Sequence, residues 1–156
     1  MIGNEPEFDR SGLGVSPAQH EGVGQQLTAA ELNALTSTII AIAIDIHRAL
    51  GPGMLERAYT SCLCHELQRH TIPFEREKPI AFVYNGFVLN CAYRADVIVA
   101  GAIVLEVKAL ENLAGVHGRQ MVTYLKLADC RVGLILNFGA ETMRAGIKRV
   151  VNRFPE

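Results

Sequence analysis

The chain has 156 residues, 49% of them apolar and 20% charged, with a net charge of −1. That length supports one domain whose core is large enough to need no disulfides. So small a charge does not advertise nucleic-acid binding.

Residues 1–26 are rich in Gly, Pro, Glu and Gln and have no apolar period, so they are expected to form a disordered tail ahead of one domain over 27–156. They carry Glu5, Glu7, Asp9 and Glu21 against Arg10, a net −3, which leaves +2 for the rest. No secretory apolar region opens the chain, and the longest apolar run, Ile39 to Ile44, is shorter than a bilayer span requires. A cytoplasmic protein with no membrane partner is the expectation. Cys62, Cys64, Cys91 and Cys130 lack zinc-type spacing and read as small apolar residues kept reduced.

Thr28-Ala29-Ala30-Glu31 is a capping box, in which the Thr hydroxyl and the Glu carboxylate satisfy backbone donors reciprocally. The helix it opens is predicted to run to about Leu50, with Leu32, Leu35, Ile39, Ile42, Ala43, Ile46 and Leu50 as one buried stripe. His47 and Arg48 near its end complement the helix dipole. Gly51-Pro52-Gly53 stops it. A second helix is expected over 54–69, with Leu55, Tyr59, Cys62, Leu63 and Leu67 inward and Glu56 at the stripe's edge. Glu56 and Tyr59 are three apart and can share a face.

After a break at Ile72-Pro73-Phe74, Pro79 to Tyr84 reads as a strand, Asn85-Gly86 as a type I′ turn and Phe87 onward as a second strand. Two Val- and Ile-rich runs then flank Ala100-Gly101-Ala102 and carry three charges, Asp96, Glu106 and Lys108. Charged groups in apolar strands need partners or a metal. Glu106 and Lys108 share a face because strand side chains alternate. Asp96 joins them if the loop has an odd number of residues centred on Gly101, or if a bulge intervenes; a two-residue loop would oppose Asp96 to Leu105 instead. Two carboxylates on one face suit a hard divalent cation such as magnesium, with the Val107 carbonyl as a possible third ligand and the Lys108 ammonium beside an attacking water. The alternative is an ion pair on a half-exposed strand, which is worth little.

A helix is predicted from about His117 to Ala128, with Gln120 and Tyr124 on one face. Arg131 to Asn137 reads as a fully buried strand. The terminal segment, 142–153, holds Arg144, Lys148, Arg149 and Arg153, a basic cluster. A meander of three antiparallel strands, a helical crossover and a fourth strand make an α/β fold with a mixed four-stranded sheet flanked by helices, and an extra N-terminal helix.

Gly53-Met54-Leu55-Glu56-Arg57-Ala58-Tyr59 resembles the motif that names the GxxExxY protein family. Asp96, Glu106-Val107-Lys108, Gln120 to Tyr124-Leu125, and Gly133-Leu134-Ile135-Leu136-Asn137-Phe138-Gly139 follow in that family's order, over residues 28–153. Five such motifs in register are far more specific than any one. The family is similar to the PD-(D/E)xK nucleases, which implies a restriction-endonuclease-like αβββαβ core and a metal-dependent nuclease of DNA or RNA. The Pro of the superfamily label is Ala95 here. The resemblance implies Asp96, Glu106 and Glu56 around a Mg2+ or Mn2+ ion, with Lys108 as the catalytic lysine. Gln120 and Tyr124 resemble the QxxxY helix of RecB-type nucleases and, with Lys148 and Arg149, are expected to hold nucleic acid. A catalytically silent binding or assembly module on the same fold is the alternative, and a homodimer through the hairpin edge is compatible with either.

Overall fold

A computed structural model describes residues 15–17 and 26–156. The expected tail therefore lies outside the described residues, apart from Gln26 and the short strand β1, Val15–Pro17. There follow α1 (Ala29–Leu50), α2 (Glu56–Arg69), β2 (Phe74–Tyr84), β3 (Phe87–Val99), β4 (Ile103–Lys108), α3 (Gly115–Leu127), β5 (Val132–Asn137), α4 (Met143–Gly146) and β6 (Ile147–Val151). One sheet of six strands in the order β1-β2-β3-β4-β5-β6 replaces the four expected. Every pairing is antiparallel except β4 with β5, the strands that α3 joins. The two additional strands are edges, β1 beside β2 and the basic terminal segment beside β5. Neither carries an apolar run that would announce a strand, because an edge strand is recruited by its neighbour's unpaired backbone groups rather than by burial.

The Thr28–Glu31 capping box forms as its sequence requires: the Glu31 amide donates to Thr28 Oγ1 at 3.2 Å and the Thr28 amide to Glu31 Oε2 at 2.8 Å. By length and composition α1 is apolar enough to cross a membrane, a property the short Ile39–Ile44 run understates. In this fold Leu32, Ile39, Ile42, Ala43 and Ile46 of the expected stripe instead pack with α2 against one face of the sheet, whereas Leu35 is half-buried and Leu50, at the helix end, is exposed. His47 does more than complement a dipole: it is buried, and its Nε2–H donates to the Ala140 carbonyl at 2.9 Å, tying α1 to the turn after β5.

On the α1/α2 face lie Val97, Val99, Ile103, Leu105, Val107, Val132, Leu134 and Leu136. The opposite face, covered by α3, holds Ile80, Ala95, Ile98, Val104 and Ile135 against Met121 and Leu125. The sheet is thus buried on both sides through its centre, which explains the near-continuous apolar strands.

Two polar devices fix the ends of this core. Tyr59, fully buried and stacked on Phe138 with ring centroids 4.5 Å apart, donates its hydroxyl to the Gly51 carbonyl and accepts from the Met54 amide at 3.1 Å. It holds the reversal between the helices, where Gly53 adopts φ +115°, a conformation that L side chains rarely adopt. Asn137, 1% exposed, accepts from the Leu110 and Gly139 amides at 2.9 and 3.2 Å and donates to the Leu110 carbonyl at 2.9 Å. Gly139 packs so tightly on the Leu110 backbone that a Cβ would overlap it. Asn137→Leu strands these buried backbone groups and is expected to cost about 2–4 kcal/mol of stability, read as a lowered urea midpoint with an unchanged slope.

Candidate active site

The register settles the parity that the sequence left open. Val97, Ile98 and Val99 pair with Leu105, Val104 and Ile103, so the loop is Ala100-Gly101-Ala102, with φ +50° at Ala100 and +63° at Gly101. Continued by one residue, the register sets Asp96 opposite Glu106. That contact is made by side chain rather than backbone: Asp96 Oδ2 accepts a hydrogen bond from the Val107 amide at 2.8 Å.

This substitution is possible because β3 is irregular at Asp96. Ala95 packs on the α3 side and Val97 on the α1/α2 side, so the alternation slips within two residues. On the neighbouring strand the ladder passes from Arg76↔Val97 to Lys78↔Ala95 and omits Glu77 and Asp96, with Glu77 at φ +52°. A local break in a ladder re-aims a side chain, which is the common use of such irregularities.

Glu106 and Lys108 project from the last turns of the β4 pleat, Glu106 beside Ile135 on the α3 side and Lys108 beside Asn137. Glu106 Oε1 is buried and has no hydrogen-bond partner among the described residues. Burial, reinforced by the Asp96 charge, pushes the Glu106 carboxyl up to about 8. Burial also raises Asp96, against the Val107 hydrogen bond and the Lys108 charge. Glu56, the exposed first residue of α2, lies near enough for its charge to raise both. Among the described residues no three His, Cys, Asp or Glu side chains are gathered into a metal-binding cluster. The acids therefore form a close pair, Asp96 and Glu106, with Glu56 at its rim. None of them, nor Lys108, belongs to the ion pairs found among the described residues, which join Asp45–Arg48, Glu66–Arg69 and Glu75–Lys78.

The α3 face supplies Tyr124, half-buried, whose ring stacks on Tyr93 of β3 with centroids 3.6 Å apart and planes 11° from parallel. Burial and the charges of Glu106 and Asp96 raise the Tyr124 phenol above its ordinary value. Gln120 is exposed one turn earlier and makes no side-chain hydrogen bond among the described residues. Lys148 and Arg149 part company: Lys148 pairs with Ile135 and lies over Gly118 of α3, on the Glu106 side. Arg149 pairs with Leu134 on the other face, donates to Asn33 Oδ1 at 2.9 Å and covers the Phe154 ring. Strict alternation sends residues three apart to opposite faces, so the sequence gives no sign that Tyr93 lies on the α3 side of β3 and stacks on Tyr124.

A mixed sheet with this strand order, flanked by helices and carrying an Asp on one strand and Glu-x-Lys on the next, defines a restriction-endonuclease-like α/β protein. The family model of the PD-(D/E)XK nuclease superfamily matches residues 33–150. The chain belongs to that superfamily. No curated protein and no solved structure matches it significantly.

Members of this superfamily generally use divalent metal ions, and the donor set fits one. Two oxygen-only side chains, one with a buried and unpartnered oxygen, provide what a hard cation that retains several waters accepts.

The raised Glu106 carboxyl has a measurable consequence in the absence of divalent cations. Native Glu106 retains its proton up to about pH 8, whereas the unfolded chain releases it near 4.5. Across that window the native state binds more protons, so its stability falls as pH rises, by up to about 1.4 kcal/mol per pH unit for one full proton. In EDTA, the wild type should lose stability relative to Glu106→Gln between pH 5 and pH 8, measured by urea unfolding. A constant difference between the two would show that Glu106 titrates normally.

Proposed function

We propose that the protein is a metal-dependent phosphodiesterase acting on DNA or RNA, a member of the GxxExxY branch of its superfamily that uses Mg2+ or Mn2+. The observation that carries this reading is the desolvated Asp96–Glu106 pair, unneutralised by any ion pair among the described residues and with Lys108 beside it. Holding two carboxylates together away from water is unfavourable unless a cation or proton compensates them.

Asp96 and Glu106 would hold the ion, with Glu56 acting at the rim on the ion's water. When bound, the cation supplies a lowered water pKa and a counter-charge for the phosphate oxygens. The chain's own groups do the rest. The Val107 amide locks one Asp96 oxygen and thereby orients the other. The Lys108 ammonium, a compact point charge, donates to the attacking water and the scissile phosphate. Asn137 and Gly139 pin Leu110, two residues beyond Lys108, so the end of β4 does not fray. Gln120, Tyr124 and Lys148 share the α3 side with Glu106 and are suited to hold the sugar-phosphate backbone. Arg149 is left out of that role because its guanidinium is engaged on the opposite face.

The test is cleavage of single- and double-stranded DNA and of RNA with magnesium, wild type against Lys108→Ala. A loss of about 100- to 1,000-fold is expected; equal activity of the two would overturn the assignment. A second reading, a silent module for binding or self-association, draws support from the exposed Tyr84, Phe87, Val88 and Leu89 at the β2–β3 hairpin tip. Calorimetry separates the two: wild type should bind manganese at millimolar or lower concentration, and Asp96→Asn/Glu106→Gln should not. No binding by wild type would favour the silent module.

A further inference from the structure

Tyr93 belongs to none of the motifs that mark this superfamily. It lies on β3 three residues before Asp96, pairs with Ile80 and packs against the cluster on the α3 side of the sheet. Its phenol oxygen is buried and has no hydrogen-bond partner among the described residues, so its hydroxyl does not account for its place. Its ring does: it lies on the Tyr124 ring with centroids 3.6 Å apart and planes 11° from parallel.

Tyr124 is the member of the pair that meets solvent through its polar end. It is half-buried on the helix that covers this face, and its hydroxyl makes no hydrogen bond among the described residues. Met121 and Leu125 pack over Gly133 of β5. The Tyr124 ring reaches the other way, to β3, and the stack joins α3 to the strand that bears Asp96. A phenol on a half-exposed helix face ordinarily samples several rotamers. A second ring packed flat against it removes the rotamers that pass through its own volume. Fixing a binding group beforehand lowers the entropy that its ligand must overcome.

We infer that Tyr93 is a positioning residue for Tyr124: its ring is the wall that fixes the Tyr124 phenol, so that the Tyr124 hydroxyl donates to a phosphate oxygen of the nucleic-acid backbone from a set direction. The inference rests on the phosphodiesterase reading, in which Tyr124 helps to hold that backbone. Tyr93 acts through its ring alone. Its hydroxyl is a buried donor with nothing to bond among the described residues, so removing it is expected to cost no stability. Removing the ring frees Tyr124, and the loss falls on substrate binding rather than on the chemical step.

Cleavage of DNA and RNA in magnesium supplies the test, with kcat and KM measured separately. Tyr93→Leu is expected to raise KM about fivefold, as for loss of one aromatic pair, with kcat within about twofold of wild type. Tyr124→Phe, which keeps the stack and loses the donor, should raise KM by a similar factor. The double variant Tyr93→Leu/Tyr124→Phe should have a KM no higher than Tyr124→Phe, because the wall has no hydroxyl left to position. Tyr93→Phe keeps the wall, so the wild-type KM and a melting temperature no lower than that of wild type are expected. An unchanged KM in Tyr93→Leu, effects that multiply in the double variant, or a Tyr93→Phe that matches Tyr93→Leu each overturn the proposal. The stack is read by NMR in wild type, without relying on the folding of Tyr93→Leu. The Tyr124 ring protons, assigned by their loss in Tyr124→Phe, should be shifted upfield by the facing ring in wild type and in Tyr93→Phe. Ordinary shifts in wild type also overturn it. A wild type that cleaves no nucleic acid removes the phosphodiesterase reading, and the role of Tyr93 toward substrate with it; the ring signals then decide the stack alone.

Discussion

The hydrogen bond from the Val107 amide to Asp96 Oδ2 is the contact on which the site depends. It takes the place of a backbone rung between β3 and β4, and so converts the end of a regular hairpin into an open fork with a carboxylate on each prong. Here one acid is anchored, the other buried, and the Lys108 charge only partly offsets their mutual repulsion. Desolvation is therefore what gives the pair its chemistry: it raises both carboxyls, with Glu106 moved most.

The remainder of the fold holds that fork in place. Residues 51–59 do this from the helical side. Gly53 supplies the positive φ, Tyr59 staples the reversal through its hydroxyl, and Glu56 begins α2 at the rim of the acids. The motif that these residues form is thus two parts scaffold to one part site. Asn137-Phe138-Gly139 plays a similar role beyond Lys108: a buried amide clamps the Leu110 backbone, an aromatic ring meets Tyr59, and a glycine lets two segments touch. Both groups of residues resemble catalytic motifs in sequence, and most of them act by packing and backbone hydrogen bonds.

Composition and charge say little about the site because its charges are local. A net charge of −1 spreads over the whole chain, whereas the acid pair and Lys108 act across one strand end. The helix α1 teaches the same point about hydropathy. Its composition meets the requirements of a membrane span, and its tertiary role is to cover one face of the sheet. Residue content alone does not distinguish these environments, because lipid and protein core present similar apolar surroundings.

The order of helices and strands, the capping box and the Asn85-Gly86 turn were legible in the sequence, since each rests on interactions within a few residues. So were Asp96, Glu106 and Lys108 as the unusual charges of an apolar hairpin. Their meeting was legible only conditionally: an even loop and an odd loop fit the same residues, and the choice belongs to the φ angles of Ala100 and Gly101 and to pairing across the sheet. The edge strands, the separation of Lys148 from Arg149, and the burial of His47 also required the assembled fold. Above all, the change of face between Ala95 and Val97 shows that β3 loses its alternation at Asp96. Sequence periodicity assumes a regular strand, and the site lies where the tertiary structure makes that strand irregular.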